Sequence, residues 1–372
     1  MRKSYFKLEI DGQDVTSRWM NLLMHLAITD SEGGKSDQLE AELDDEGGRI
    51  ELPRVGATVH AELGWRAGEC ITFDGKTDEP HSRGARGGGM TLSISAKSAD
   101  PSGKGKEPQK RHKDNSSFGD VAKEWGGKVG LSVMVDQSLA SVHREYWDMA
   151  HESFHAWGAR IARDIGATFK VFGDKAVFVP RGSSAAASGA QMSKLLIKRP
   201  GNVISWDMTP VFSRTQFTEH IVRWYDVKEA KWKTEKVTVD NPGGAKASLT
   251  DRFKHADSDR AKSRAKSNKD EADRKKGGGT IKLDGEPAAR SQAEAEVSGI
   301  RPGINGTYKV TKAVHARDRH GGYQTTVTLE QPGGDAGTDS RGAGANAGSG
   351  AGANAGSAGE AGVSNSVPGN VG

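Results

Sequence analysis

The chain has 372 residues, 34% of them hydrophobic and 49 of them glycine, so it can hold two or three domains but less core than its length suggests. Its 53 basic and 49 acidic residues leave a net charge of +4, too balanced to argue for nucleic acid as a main partner. Cys70 stands alone, which excludes an intrachain disulfide; no run approaches the roughly 20 apolar residues of a membrane helix, and the start, MRKSYFKLEIDG, lacks the apolar stretch of a signal peptide, so the expectation is a soluble protein made in the cytoplasm.

Residues 4–100 read as β. Tyr5–Ile10 alternates and is followed by the turn pair Asp11-Gly12. Leu22–Ile28, Gln38–Leu43, Ala57–Leu63, Glu69–Phe73 and Met90–Ala96 continue the series between glycine-rich turns, a spacing that suggests a sandwich or barrel. Asp44-Asp45-Glu46 lacks the spacing of a calcium loop and reads as a solvated turn.

Residues 101–115, PSGKGKEPQKRHKDN, read as a basic linker without interleaved aromatics. Ser116-Ser117 then offers an N-cap to a short helix carrying Phe118, Val121, Ala122 and Trp125, and Leu131–Val135 reads as a strand.

The chain is organised around His151–Pro180. Phe154, Trp157, Ile161 and Ile165 fall at i, i+3, i+7 and i+11 and share one helical face. Gly166 sits where a left-handed cap belongs, and Thr168–Phe172 and Ala176–Val179 flank Gly173-Asp174-Lys175 as a hairpin. The same stretch contains His151-Glu152-Ser153-Phe154-His155, an H-E-x-x-H match. On a helix, two histidines four apart can hold one zinc with the glutamate as general base. The longer form of the pattern fails, because Ile161 stands where a third ligand is needed. The two histidines lie about 60° and 100° from the apolar stripe, as flanking residues at the helix start would. If the helix begins after His151, the pair loses its geometry. The expectation is therefore no metal, no cofactor and no catalytic residue, with a zinc metallopeptidase through His151, Glu152 and His155, or a cell-wall lysin, as the alternatives.

Residues 203–240 return to β in Val203–Met208, Thr215–Tyr225 and Lys231–Val239, with Trp206, Trp224 and Trp232 expected to pack on the sheet. Residues 251–276 are dense in both charges and read as a solvated helix or mobile insertion. Strands at Gly306–Val314 and Gly322–Glu330 follow. The end is low in complexity: GAGANAGS occurs at 342–349 and again at 350–357, a composition that cannot offset its own ordering entropy.

Taken in order, several segments resemble the phage late control protein D family, the baseplate hubs of contractile tails. They are Asp11–Thr16, Leu26–Gly33, Ser36–Leu39, Leu43–Asp45, Arg49–Gly56, Ser298–Gly306, Val314-His315 and Gly321–Thr325. The family's helix signature runs approximately E-S-D-x-x-F-L-x-R-L-A, then G-A. Glu152, Ser153, Arg160, Ala162, Gly166 and Ala167 match it, while Phe154 replaces the acid, Trp157-Gly158 replaces Phe-Leu and Ile161 replaces Leu. The hubs are similar to the N-terminal part of type VI secretion spike proteins.

The resemblance implies a mainly β fold with a small α+β insert. Two tube-forming β-barrel domains, 1–100 and 203–332, would flank a mixed domain at 101–202. A charged insertion at 251–279 and a disordered tail at 333–372 complete the expectation. It further implies a homotrimeric symmetry adaptor between a six-fold tail tube and a three-fold spike. Its partners would be the spike, the tube, other baseplate proteins and the tape-measure protein, with DNA only in transit. Its place would be the virion tail baseplate, assembled in the host cytoplasm.

Overall fold

The structure is a computed structural model that describes residues 3–34, 36–99, 103–184, 192–209, 217–239, 245–339 and 341. Residues 1–338 form one compact unit and 339–372 a second. The expected tail from 342 onward lies outside the described residues.

The first β region contains β1 (Ser4–Ile10), β2 (Gln13–Asp14), the short helix α1 (Thr16–Trp19), β3 (Leu23–Ser31), β4 (Gln38–Asp44), β5 (Thr58–Trp65), β6 (Cys70–Thr77), β7 (His81–Ala85) and β8 (Gly89–Lys97). The mixed region follows with β9 (Gln109–Ser117), α2 (Phe118–Lys128), β10 (Ser132–Val135), α3 (Gln137–Ala140), β11 (His143–Glu152), α4 (Phe154–Asp164), β12 (Ala167–Phe172) and β13 (Lys175–Pro180). The last region holds β14 (Leu195–Lys198), β15 (Val203–Thr209), β16 (Phe217–Asp226), β17 (Lys231–Thr238), β18 (Ala245–His255), α5 (Ser258–Arg274), β19 (Gly278–Asp284), β20 (Glu294–Ser298), β21 (Gly306–Asp318) and β22 (Gly322–Gly333).

The fold is mainly β. The first and last β regions share one 14-stranded sheet in the order β15-β19-β22-β21-β3-β4-β8-β6-β5-β1-β2, with β7 added to β8 and β14-β20 added to β21. The join is the antiparallel pair β3–β21, running from Lys312 opposite Ser31 to Asp318 opposite His25. Alternation dictates which face is buried. Leu39, Ala41 and Leu43 on β4 and Leu92, Ile94 and Ala96 on β8 point to one core, while Glu40, Glu42, Ser93 and Ser95 point away. A second core under the last region collects Leu195, Ile281, Leu283, Tyr308, Val310, Val327 and Leu329.

The mixed region buries its own core: Phe118, Trp125, Trp147, Phe154, Trp157, Phe169 and Phe178. Ser117 caps α2 by accepting from the Asp120 amide, and Ser153 caps α4 by accepting from the Ala156 amide. Gly166 closes α4 at φ +69°, a conformation a side chain would strain. β12 and β13 form the hairpin around Gly173-Asp174.

Several expectations change. The basic stretch 101–115 is not all linker. Its second half enters β9, which pairs with β11 from Ser117 opposite His143 to Gln109 opposite Glu152. β9 has no apolar residue of its own, so its strand form comes from the partner, whose Trp147 and Met149 supply the burial. Residues 251–276 begin in β18 and then form the helix that was one of the two expectations, but α5 is not solvated all round: it is capped by Asp257 and buries Ala261 and Ala265 against Val222. It packs on a separate three-stranded sheet, β17-β16-β18. Trp224 packs there as expected, but Trp206 and Trp232 point outward, the latter 56% exposed. β22 runs on to Gly333, and Ala336 packs on the last core, so the ordered chain outlasts the expected tail boundary.

Candidate functional site: a polar seam and two sheet edges

The residues singled out in α4 divide by role. Phe154, Trp157 and Ile161 are each at most 1% exposed, and Ile165 is half-buried against the same core. Gly158 faces the Phe169 ring so closely that a Cβ would lie 2.7 Å from it. The absence of a side chain at Gly158 therefore makes room for the Phe169 ring. Ala162 and Ala167 are buried.

The H-E-x-x-H pattern does not lie on a helix. α4 begins at Phe154, and His151 and Glu152 end β11, with His151 in a bulge at φ +54°. Glu152 is engaged by Arg160, whose Nε donates to Oε2 at 3.2 Å and whose guanidinium also donates to the Asp148 carbonyl at 2.9 Å. This signature pair ties α4 to the strand before it. His155 is half-buried under Gly105, and burial, with Lys106 nearby, pushes its pKa down. Among the described residues no group of three or more His, Cys, Asp or Glu is placed to hold a metal ion.

A polar seam lies where the three regions meet. Lys170 on β12 reaches Asp30 at 2.7 Å and Asp37 at 2.8 Å, both from the first β region. Ser291 of the last region donates its hydroxyl and its amide to Asp30 at 2.6 and 3.0 Å. Burial raises the Asp30 carboxyl, but Lys170 and Ser291 outweigh it and hold it below its ordinary range. Asp37 has fewer donors, so burial, with the Asp30 charge adding to it, outweighs Lys170 and pushes it up. Glu32 accepts from Arg274 of α5 at 2.9 Å and from Thr168 at 3.3 Å. Beside Lys170 opens a cleft of about 490 Å³ walled by Phe172, Val177, Val179 and Met192.

Further along, the Trp65 indole donates to the Gly285 carbonyl at 2.8 Å and meets Tyr323 edge-on at 5.3 Å. His315 is fully buried; its Nε2 donates to the Ala289 carbonyl at 3.0 Å, so its Nδ1 accepts from Tyr323 at 2.9 Å. Burial, reinforced by Arg290, pushes its pKa down to about 4.

Asp30, Glu32, Asp37, His315 and Tyr323 fall inside the family segments and Lys170 inside the expected hairpin, but none of them was singled out from the sequence for a seam. The available signals were small: Lys170 inside the apolar run Thr168–Phe172, and Asp30 closing Leu26–Thr29. A lysine in an otherwise apolar hairpin needs a counter-charge, but nothing local says which aspartate supplies it.

The sheet has two ends. β15 is bonded to β19 on one side, and among the described residues no strand covers its other side. Ile204 is 48% exposed there and Trp206 carries the Arg199 guanidinium 4.8 Å above its ring. At the opposite end β1 pairs with β5; on its far side β2 covers Glu9 and Ile10, and the Val15-Thr16 turn covers Leu8, whose carbonyl accepts from the Val15 amide at 3.0 Å, so that among the described residues no strand covers the far side of the first half of β1. Unpaired edges are templates for another strand.

No family model matches the chain. In sequence it is 30% identical over 235 residues to a probable baseplate hub protein of Escherichia phage 186, a match covering 63% of this chain and 59% of that protein. The chain thus matches little more than half the length of that relative. In fold it resembles a 43 kDa tail protein of prophage MuSo2 from Shewanella oneidensis, with a TM-score of 0.65 at 16% identity over 88% of this chain and 98% of the other. It also resembles a type VI secretion system component of E. coli, with a TM-score of 0.51 at 9% identity over 89% and 78%. The chain is similar in sequence to baseplate hub proteins and shares its fold with phage tail proteins.

Proposed function

We propose that this chain is a structural baseplate-hub protein of a contractile phage tail or a tail derived from one, and that it works as a trimeric adaptor between a six-fold tube and a three-fold spike. The observation that carries this reading is the likeness to a hub protein over 235 residues. The open sheet supports it physically. A contact between the β15 edge of one copy and the β1 end of the next is heterologous, uses both free ends and repeats until a ring closes. Each copy brings two β regions to such a ring, so three copies bring six wall segments, the number a six-fold tube requires. Exposed Ile204 and Trp206 give the contact apolar material.

The face of the first region turned away from its core suits a conduit. It carries Glu9, Glu40, Glu42 and Glu62 among Ser93, Ser95 and Thr72, with Lys7 and His60 interspersed. Such a wall offers passing DNA few phosphate contacts. The role is structural, and the virion tail baseplate is its place.

Light scattering on the hub co-expressed with its spike tests the proposal. The expected product holds three copies of each, and Trp206→Glu on the β15 edge should prevent its formation. A stable dimer or tetramer of hub chains with no spike bound would overturn the adaptor reading.

A further inference from the structure

The balanced charge of the whole chain hides an asymmetry. Residues 217–276 carry 16 Lys and Arg against 11 Asp and Glu, a net +5, while the rest of the chain, with 37 against 38, is at −1. This is the stretch that leaves the main sheet after β15 and builds β16, β17, β18 and α5.

Its three-stranded sheet has two unlike faces. On β16, His220, Val222 and Trp224 point toward α5, with Val222 fully buried against Ala261 and Ala265. By alternation Ile221, Arg223 and Tyr225 take the other face, which α5 does not cover. Tyr225 lies opposite Trp232, Arg223 opposite Thr234, and Ile221 opposite Lys236 on β17. On the other side Arg223 lies beside Lys254 of β18. The Tyr225 and Trp232 rings are 5.0 Å apart, and the Lys254 ammonium sits 4.5 Å from the Trp232 ring. Arg223, Trp232 and Lys254 are all exposed, and neither Arg223 nor Lys254 has an acidic partner among the described residues. Lys236 is paired to Glu219 at 3.3 Å.

We propose that this open face binds single-stranded nucleic acid. Two adjoining aromatic rings on a sheet offer flat surfaces on which bases stack, and the flanking Arg223 and Lys254 meet the phosphates between them. A duplex keeps its bases stacked inside and would use only the cations. An acidic polypeptide would satisfy the cations and leave the rings without a flat partner.

The test is fluorescence anisotropy of a labelled oligodeoxythymidylate of about 12 nucleotides titrated with the full chain, at several salt concentrations. Binding should weaken steeply with salt. Trp232→Ala should weaken it about tenfold, and Tyr225→Ala should weaken it in the same direction, while Lys254→Glu should also flatten the salt dependence. Because Trp232 is more than half exposed, thermal melting should show the Trp232→Ala fold intact. The proposal fails if the oligonucleotide does not bind at low salt, or if Trp232→Ala binds as the parent does. It also fails if duplex of the same length binds equally, or if polyglutamate competes as well as the oligonucleotide, which would make the face a dock for an acidic protein.

Discussion

The mixed region and the 217–276 insertion are both helix-on-sheet units, yet they are held together by different means. The first encloses seven large aromatic side chains, with Phe118 and Phe178 edge-on at 4.9 Å and Trp125 and Trp157 at 5.0 Å. Among the described residues the second gathers a small apolar cluster of Val222, Ala261 and Ala265, with Trp224 and Val237 at the margin. The insertion adds polar contacts within itself and to the mixed region. Ser267 donates to the Arg163 carbonyl at 2.7 Å, and Arg264 pairs with Asp251 at 2.9 Å and lies 4.0 Å from Asp164 at the end of α4. The contrast teaches that secondary structure of the same kind carries very different stability, set by the area it buries rather than by its hydrogen bonds.

The strongest test of that contrast is Trp157→Ala. Truncating this fully buried ring should cost about 3–5 kcal/mol, read as a lowered urea midpoint. A loss under about 1 kcal/mol would mean the aromatic core is not the anchor the contrast requires.

A third kind of support, the buried seam, is sharpened by pH. His315 is neutral in the folded chain with its pKa near 4, while an unfolded histidine titrates near 6.5. Below pH 6.5 the unfolded chain therefore binds more protons, and stability is lost as pH falls from about 6.5 to about 4. The loss is on the order of 3 kcal/mol. Asp37 titrates with the opposite sign, since its pKa is raised on folding, so the parent's profile is composite. The stability gap between the parent and His315→Asn isolates the histidine. It should be widest at neutral pH and narrow toward pH 4, and a gap independent of pH would break this part of the picture.

In the insertion, Val222→Ala should cost only about 1–2 kcal/mol. Hydrogen exchange should show the loss confined to β16, β17 and α5, leaving β12 and β13 protected. Spread of the effect into the mixed region would mean the two units fold as one. Removal of 342–372 is the smallest change. A segment of that composition buries too little to matter, so the melting temperature should stay within about a degree.

The helix α4 was legible because every signal for it is local: the apolar spacing of Phe154, Trp157 and Ile161, the Ser153 cap and Gly166. The same spacing read its buried face, while the H-E-x-x-H match misled because pattern alone does not say where a helix starts. The boundary at Phe154 is what separates His151 from His155. β9 was missed because its pairing residues are polar and its partner lies about 30 residues on. The seam was missed for the same reason at longer range, since Lys170 and Asp30 are 140 positions apart. The insertion's charge was visible all along, but averaging over the chain concealed it, and only the register of Tyr225 against Trp232 brought the aromatics to the cations' side.

The path of the chain into and out of the insertion decides how much change the main sheet tolerates there. Thr209, where β15 ends, lies directly opposite Gly278, where β19 begins. The chain thus leaves and rejoins the main sheet at the tip of a hairpin, where Thr209 and Gly278 stand about 5 Å apart. A short turn could close that hairpin without shifting one pair of the sheet. A segment inserted at this position can accordingly change in length or content while the β15–β19 pair keeps its register.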